Sequence, residues 1–185
     1  AARAIGAANT LSFAADRSIS AENTDAPGLL EAIGEPLIGR RALVLGAGGS
    51  ARAAVWALRE AGAAEVSVWN RTHARARSLA DDLGARAVAR RERADVLVNC
   101  TAVGLKPAPD ELAQLELDAA ALGDYALVVD LVYRAGATAL LRAARERGAR
   151  TVDGLQVLVA QGALSFELWT GRAAPRETMR AAARD

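Results

Sequence analysis

One cysteine and one histidine in 185 residues leave little chemistry to either residue type. A lone Cys100 cannot form an internal disulfide, which suits a reducing compartment, so a cytoplasmic location is expected. Following an apolar run with no partner base, it reads as a small buried residue rather than a nucleophile. His73 has no neighbouring cluster of Cys, Asp or Glu, so it builds neither a metal site nor a catalytic triad, and no metal is expected. No apolar run is long enough to span a bilayer, and no signal-peptide pattern opens the chain. Excess charge is missing too: 23 Lys plus Arg against 22 Asp plus Glu give a net charge of +1. No global field therefore draws the chain to nucleic acid or an anionic membrane, and neither is expected as a partner. An initiating Met is also absent. The chain opens in mid-phrase with "AARAIGAANTLSF", which raises the expectation of a fragment.

What is present is a hydrophobic content of 52%, enough for a substantial core in one main domain. Short branched apolar runs alternate with longer Ala, Leu and Arg segments of helical period, the pattern of parallel strands joined by crossover helices. Six strands are expected: Arg41 to Gly46, Glu65 to Asn70, Arg86 to Ala89, Asp95 to Cys100, Ala126 to Leu131 and Ala149 to Asp153. Helices are expected at Gly49 to Ala61, Ala74 to Leu83 and Ala137 to Arg147, each followed by a glycine that can end it. The crossover over "RRER" is too short for a full helix, and "KPAPDE" (Lys106 to Glu111), with two prolines, reads as a loop. The fold class is α/β: a Rossmann-like doubly wound parallel sheet of about six strands with helices on both faces.

The first of these strands runs into "GAGGSA", Gly46, Ala47, Gly48, Gly49, Ser50 and Ala51. That is the G-x-G-x-x-A pattern of a strand-to-helix turn that receives a dinucleotide pyrophosphate. Gly46 permits the tight turn, Gly48 lets the backbone approach the phosphates, and Ala51 allows close helix packing, while helix-start N–H groups face the anion. A ligand-free tight turn is the bland alternative, but the flanking strand and helix favour binding. At the end of the second strand stands "NRTHAR". An NAD-binding fold usually has a carboxylate there for the ribose 2′-hydroxyl, and that charge would repel a 2′-phosphate. Here Asn70 is neutral, Arg71 presents a planar fork suited to phosphate, and Arg75 lies one helical turn further on. Thr72 can cap the helix or donate its hydroxyl to the same phosphate. NADP is thus favoured over NAD, against the alternative of a merely solvated basic face formed by Arg71, Arg75 and Arg77.

Further motifs are "GAANTLSF" (Gly6 to Phe13), "AENTDAPGLLEAI" (Ala21 to Ile33), "NCTAVGL" (Asn99 to Leu105) and the run from "VVDLVY" through "LVAQGALSFELWTG". Taken in order with the glycine loop and "NRTHAR", they resemble the shikimate dehydrogenase family from about Ile5 to Gly171. The resemblance implies reduction of 3-dehydroshikimate to shikimate with NADPH, in aromatic amino-acid biosynthesis, by hydride transfer to a carbonyl with proton transfer by a Lys and Asp couple. It implies that Asp25 is the carboxylate of that couple and that Asn9 and Gln161 hydrogen-bond the substrate. Tyr133 would lie near the reacting groups, and Thr101, Ala102, Val103 and Gly104 would form the loop beside the nicotinamide. Without the family, Asp25 also reads as a helix-capping carboxylate, a role compatible with the other.

The departures are specific. The family's catalytic lysine belongs to an N-terminal substrate domain, and the single lysine here, Lys106, does not match its motif. Ala102 replaces a usual Pro, and the Pro usual after "VY" is missing at Ala135 and Gly136. The resemblance thus implies a remnant of the substrate domain over 1–25, an NADP-binding Rossmann domain over 26–171, and a C-terminal helix over 172–185 that would pack on the substrate domain. An exposed apolar surface is expected near residues 1–13 and along the last helices. The expected activity of the chain alone is negligible, with the missing substrate domain as its partner and a homodimer left open. Two alternatives remain: a stand-alone NADP-binding or docking module, and a quinate/shikimate dehydrogenase, for which an acid in place of the arginines would favour NAD.

Overall fold

The computed structural model describes residues 1–183. A short helix α1 (Ala2–Ile5) leads into an antiparallel hairpin of β1 (Thr10–Phe13) and β2 (Ile19–Glu22), followed by α2 (Asp25–Ile33). From there strand and helix alternate: β3 (Arg41–Leu45), α3 (Gly49–Glu60), β4 (Glu65–Trp69), α4 (His73–Leu83), β5 (Arg86–Ala87) and β6 (Val96–Asn99). The second half holds α5 (Glu111–Gln114), a 3-10 turn (Ala120–Asp124), β7 (Leu127–Asp130), α6 (Ala139–Glu146), β8 (Arg150–Val152), α7 (Gly154–Thr170) and α8 (Arg176–Ala182). Every strand of the main sheet falls inside its expected range, trimmed by up to two residues at either end. No helix forms over "RRER", and the "KPAPDE" loop holds until Glu111 opens α5. Of the expected C-terminal helix, α8 realises the middle; Arg184 and Asp185 lie outside the described residues.

The six-stranded sheet is parallel throughout, in the order β5-β4-β3-β6-β7-β8. The chain builds outward from β3 to one side, then crosses to β6 and builds to the other. The strand order therefore reverses between β3 and β6, where open α/β sheets form a ligand crevice at the carboxyl ends of the strands. Alternation along the strands separates two cores. Ala42, Val44, Val96 and Val98 pack with α2, α3, α4 and α7 residues such as Leu29, Val55, Leu79 and Val157. Leu43, Leu45, Leu97 and Val128 pack on the other face with Leu115, Leu122, Leu140 and Leu141. Such two-sided burial is why these strands read as continuous apolar runs.

Two elements carry no clear mark in the sequence. The hairpin escapes notice because the four residues of β2 are all exposed and only Thr10 of β1 is buried, so little apolar alternation marks it. Helix α7 escapes because apolar side chains surround it as it packs against α2 and α8, leaving no stripe of helical period. Its start is fixed by a capping box: the Asp153 carboxylate accepts from Gln156 N at 3.0 Å, while Gln156 Oε1 accepts from Asp153 N at 3.1 Å. The expected apolar surface exists. Leu11, Phe13 and Ile19 on the hairpin and Leu168 and Trp169 at the end of α7 are all exposed, and Trp169 Nε1 donates to Leu11 O at 3.0 Å, tying the two elements together.

Candidate active site

Helix α2 approaches α7 through Gly28, where an added Cβ would stand 2.7 Å from Gln161 N and 2.8 Å from Gln161 Cα. Because glycine has no side chain, the start of α2 lies against the middle of α7, and the loop before β1 closes the third side. Asn9, Asp25 and Gln161 meet there. Asn9 Nδ2 donates to Asp25 Oδ1 at 2.8 Å, to Thr24 Oγ1 at 2.9 Å and to Gln161 Oε1 at 3.2 Å. The amide is pinned in that sense because its Oδ1 accepts from Thr24 N at 2.8 Å. Behind it, three buried hydroxyls close up. Ser165 Oγ lies 2.8 Å from Thr10 Oγ1 and 2.9 Å from Thr24 Oγ1, which satisfies these polar atoms away from water. The motifs that hold these hydroxyls assign them no part, since a lone Ser or Thr gives no signal before the fold gathers them.

A cavity of about 210 Å³ opens on this cluster. Asn9, Asp25, Tyr133 and Gln161 line it, with Ser50 of the glycine turn on its rim and Leu29, Ala53, Leu131 and Val157 as its apolar wall. All four residues matched to the substrate side of the family thus share one cavity, Tyr133 from the loop after β7 with its ring half exposed at 52%. Burial pushes the Asp25 carboxyl above the usual carboxylate range, and the hydrogen bond from Asn9 pulls it partly back. A group tuned this way is suited to exchanging a proton. Asp25 does not cap its helix: Thr24 holds the cap position, and Asn23 Oδ1 accepts from Ala26 N at 3.0 Å instead. The capping alternative for Asp25 is thereby corrected, and its carboxylate is left facing the cavity.

The glycine turn joins β3 to α3 as expected. Gly46 has φ +110°, and a Cβ there would sit 3.0 Å from Cys100 O, so both conformation and space demand glycine. Around Gly48 a Cβ would meet nothing within 4 Å, leaving backbone open to a ligand. No side chain caps α3, and its first N–H groups have no intrahelical partner. At the end of β4, Asn70 Nδ2 donates to Thr72 O at 2.9 Å. Thr72 occupies the cap position of α4, yet its hydroxyl makes no capping bond, so the capping role is corrected. The helix start carries no acidic residue. Arg71 and Arg75 are exposed, and among the described residues neither is in a salt bridge, whereas Arg40, Arg52, Arg86, Arg134 and Arg176 each hold a carboxylate. The donor set of a phosphate pocket is present: open backbone at Gly48, uncapped N–H groups on α3 and two uncommitted guanidinium groups.

Thr101 to Gly104 follows β6 on the far side of the crevice, across from the glycine turn. Cys100 is unpaired, and burial pushes its thiol well above the ordinary range, in keeping with an inert structural role. Lys106 is exposed in the loop beyond and does not line the cavity. No group of His, Cys, Asp and Glu able to hold a metal occurs among the described residues, and no helix among them is long and apolar enough to cross a membrane.

Comparison with known proteins decides the family. A family model described as shikimate / quinate 5-dehydrogenase matches residues 29–105, and one described as the shikimate 5'-dehydrogenase C-terminal domain matches residues 154–184. An NADP(+)-dependent shikimate dehydrogenase of Thermus thermophilus is 49% identical over 99% of this chain and 69% of its own length. The chain belongs to the shikimate dehydrogenase family. The enzyme of Caulobacter vibrioides with the same name is 43% identical over 93% of this chain and 64% of its own length. Among solved structures, the enzyme of a second Thermus thermophilus strain, in complex with NADP(H) and shikimate, is similar with a TM-score of 0.83 and 46% identity, covering 99% of this chain and 69% of that one. A ligand-free 5-ketofructose reductase from Gluconobacter is similar at a TM-score of 0.84 and 30% identity, covering 98% of this chain and 69% of that one. The Thermus and Caulobacter relatives are named as NADP(+)-dependent dehydrogenases, and the Thermus structure holds NADP(H) and shikimate.

Proposed function

We propose that the chain is the NADP-binding portion of a shikimate dehydrogenase, reducing 3-dehydroshikimate to shikimate. The observation that carries this reading is the single cavity shared by Asn9, Asp25, Tyr133 and Gln161, with Ser50 of the glycine turn on its rim. When bound, NADPH supplies the hydride. The chain's own residues do the rest. The N–H groups of Gly48, Gly49 and Ser50 hold the pyrophosphate, with Gly46, Ala47 and Ala51 shaping the turn, and Arg71, Arg75, Thr72 and Asn70 surround the 2′-phosphate. Thr101, Ala102, Val103 and Gly104 flank the nicotinamide side of the crevice. Asn9 and Gln161 orient the substrate hydroxyls, Tyr133 lies near the reacting groups, and Asp25 is the carboxylate of the proton-transfer pair, its affinity for a proton raised by burial.

Residues 1–25 are read as part of a substrate domain, 26–171 as the cofactor domain and 172–185 as the C-terminal segment whose helix α8 (Arg176–Ala182) packs back on the substrate domain. The exposed apolar face of Leu11, Phe13, Ile19, Leu168 and Trp169 supports a partner domain there, and the lysine of the proton-transfer pair is assigned to that domain. A cytoplasmic setting agrees with the unpaired thiol of Cys100. Titration of the chain with NADPH and NADH, followed by fluorescence, should show binding with NADPH preferred and negligible turnover. Adding a separately produced substrate domain that contains the lysine should restore dehydrogenase activity. Turnover by this chain alone at the level of an intact enzyme would overturn the division of labour.

A further inference from the structure

Beneath the loop at Thr101 to Gly104 lies a buried polar cluster whose side chains do not line the cavity. Asn99 ends β6 and Asp130 ends β7; the two are partners in register and fully buried. Asn99 Oδ1 accepts from Thr101 N at 3.0 Å and from Thr101 Oγ1 at 2.8 Å, while its Nδ2 donates to Asp130 Oδ1 at 2.9 Å and Val103 O at 3.3 Å. Thr101 Oγ1 accepts from Val103 N at 3.1 Å, so Thr101 and Val103 are both laced to the Asn99 side chain and to each other. Asp130 Oδ1 also accepts from Val132 N at 3.1 Å, the residue before Tyr133, and Oδ2 accepts from Thr138 Oγ1 at 2.6 Å. Thr138 caps α6 by accepting from Leu141 N at 3.3 Å, and its methyl lies 3.2 Å from where a Cβ on Gly104 would stand. A second brace lies outside: Glu111 accepts from Arg134 Nη1 at 3.1 Å and Ala139 N at 2.8 Å.

Apolar side chains of the same volume would fill this space without the cost of burying a carboxylate. The cluster therefore acts as a constraint, because the loop toward the nicotinamide and the loop carrying Tyr133 hang on the same Asp130 oxygen. We propose that Asn99, Asp130 and Thr138 form a positioning device that holds these two loops in one fixed relation, so that the nicotinamide end of NADPH meets the cavity of Asn9, Asp25 and Gln161. The proposal rests on the NADP reading above. None of the three touches cofactor or substrate, so their effect falls on the end of the cofactor the loops embrace and spares the phosphate-binding end.

Two ligands separate those ends. NADPH engages both, whereas adenosine 2′,5′-bisphosphate engages only the phosphate-binding end. Asn99→Leu, close in volume and lacking all four hydrogen bonds, should weaken NADPH binding by about tenfold, equivalent to losing the net worth of one or two hydrogen bonds. It should leave the bisphosphate within about twofold of the unaltered chain, since uncoupled sites are little affected. Thr138→Val should show the same split, and Thr138→Ser, which keeps the hydroxyl, should restore NADPH binding. If Asn99→Leu does not fold, as judged by circular dichroism, Thr138→Val decides. Equal weakening of both ligands in folded variants, or no weakening of either, would overturn the positioning role. Failure of the unaltered chain to bind either ligand would instead overturn the NADP reading and this inference with it.

Discussion

Arg71 and Asp25 show how much of a site rests on single side chains. Arg71 follows β4 and is exposed without a carboxylate partner among the described residues, as is Arg75. A charge-assisted bond from a guanidinium to phosphate is worth more than a neutral one. Arg71→Ala should therefore weaken NADPH by about tenfold or more, as expected for loss of a hydrogen bond to a charged group, and leave NADH nearly unchanged. Paired fluorescence titrations check this, and equal losses would return the arginines to a solvated basic face. Asp25 offers a pH signature. Its carboxyl binds a proton more readily folded than unfolded, since burial raises it above the usual range. Between the two values the folded state holds the extra proton, so stability falls as pH rises through that interval and stays lower above it. Asp25→Asn, which carries no charge to desolvate, should raise the melting temperature at pH 7. The gain should fade as pH falls through the ordinary carboxylate range and vanish below about pH 3, where the carboxyl is protonated in either state. Thermal melts at both pH values decide it.

At the scale of elements, the packing of α2 on α7 sets the candidate site. The two helices come together at Gly28, whose missing side chain leaves room only for the backbone of Gln161. Since that obstacle is backbone, it cannot rotate away. Gly28→Ala should cost about 1–3 kcal/mol of stability, the usual range for overpacking a core. The same change should move Asp25 away from Gln161, and urea unfolding measures the stability loss. The element scale also shows where sequence pattern is informative. Strands β3, β4, β6 and β7 announce themselves because both faces are buried, which requires unbroken apolar runs. The hairpin of β1 and β2 has no such requirement, and α7 carries apolar residues around most of its circumference with only scattered polar ones, so neither period 2 nor period 3.6 marks them.

For the whole molecule, the dominant feature is the apolar face formed by the hairpin and the end of α7. Phe13 is 73% exposed, Ile19 63% and Trp169 59%, an arrangement typical of an interaction surface rather than scattered surface residues. Replacing Leu11 and Phe13 together by Ser should lower binding of an apolar dye and reduce self-association. The melting temperature should hardly change, because neither side chain is in either core. Dye fluorescence and sedimentation velocity test this, and a large drop in melting temperature would show that the face already packs within the chain.

The sequence by itself determined the parallel sheet, its crossover helices, the glycine turn and the cationic residues after the second strand. All rest on local signals: each element is written in a run of about a dozen residues or fewer, as periodicity, turn chemistry or charge. The resemblance of its motifs to the family also pointed to Asn9, Asp25, Tyr133 and Gln161, though as separate points along the chain. Only the tertiary structure brought them into one cavity, since Asn9 and Gln161 are 152 residues apart and meet through the close approach at Gly28. The same holds for the hydroxyls of Thr10, Thr24 and Ser165 and for the carboxylate of Asp130. A buried polar side chain takes its role from the partners that satisfy it, and those partners are chosen by the fold rather than by neighbours in sequence.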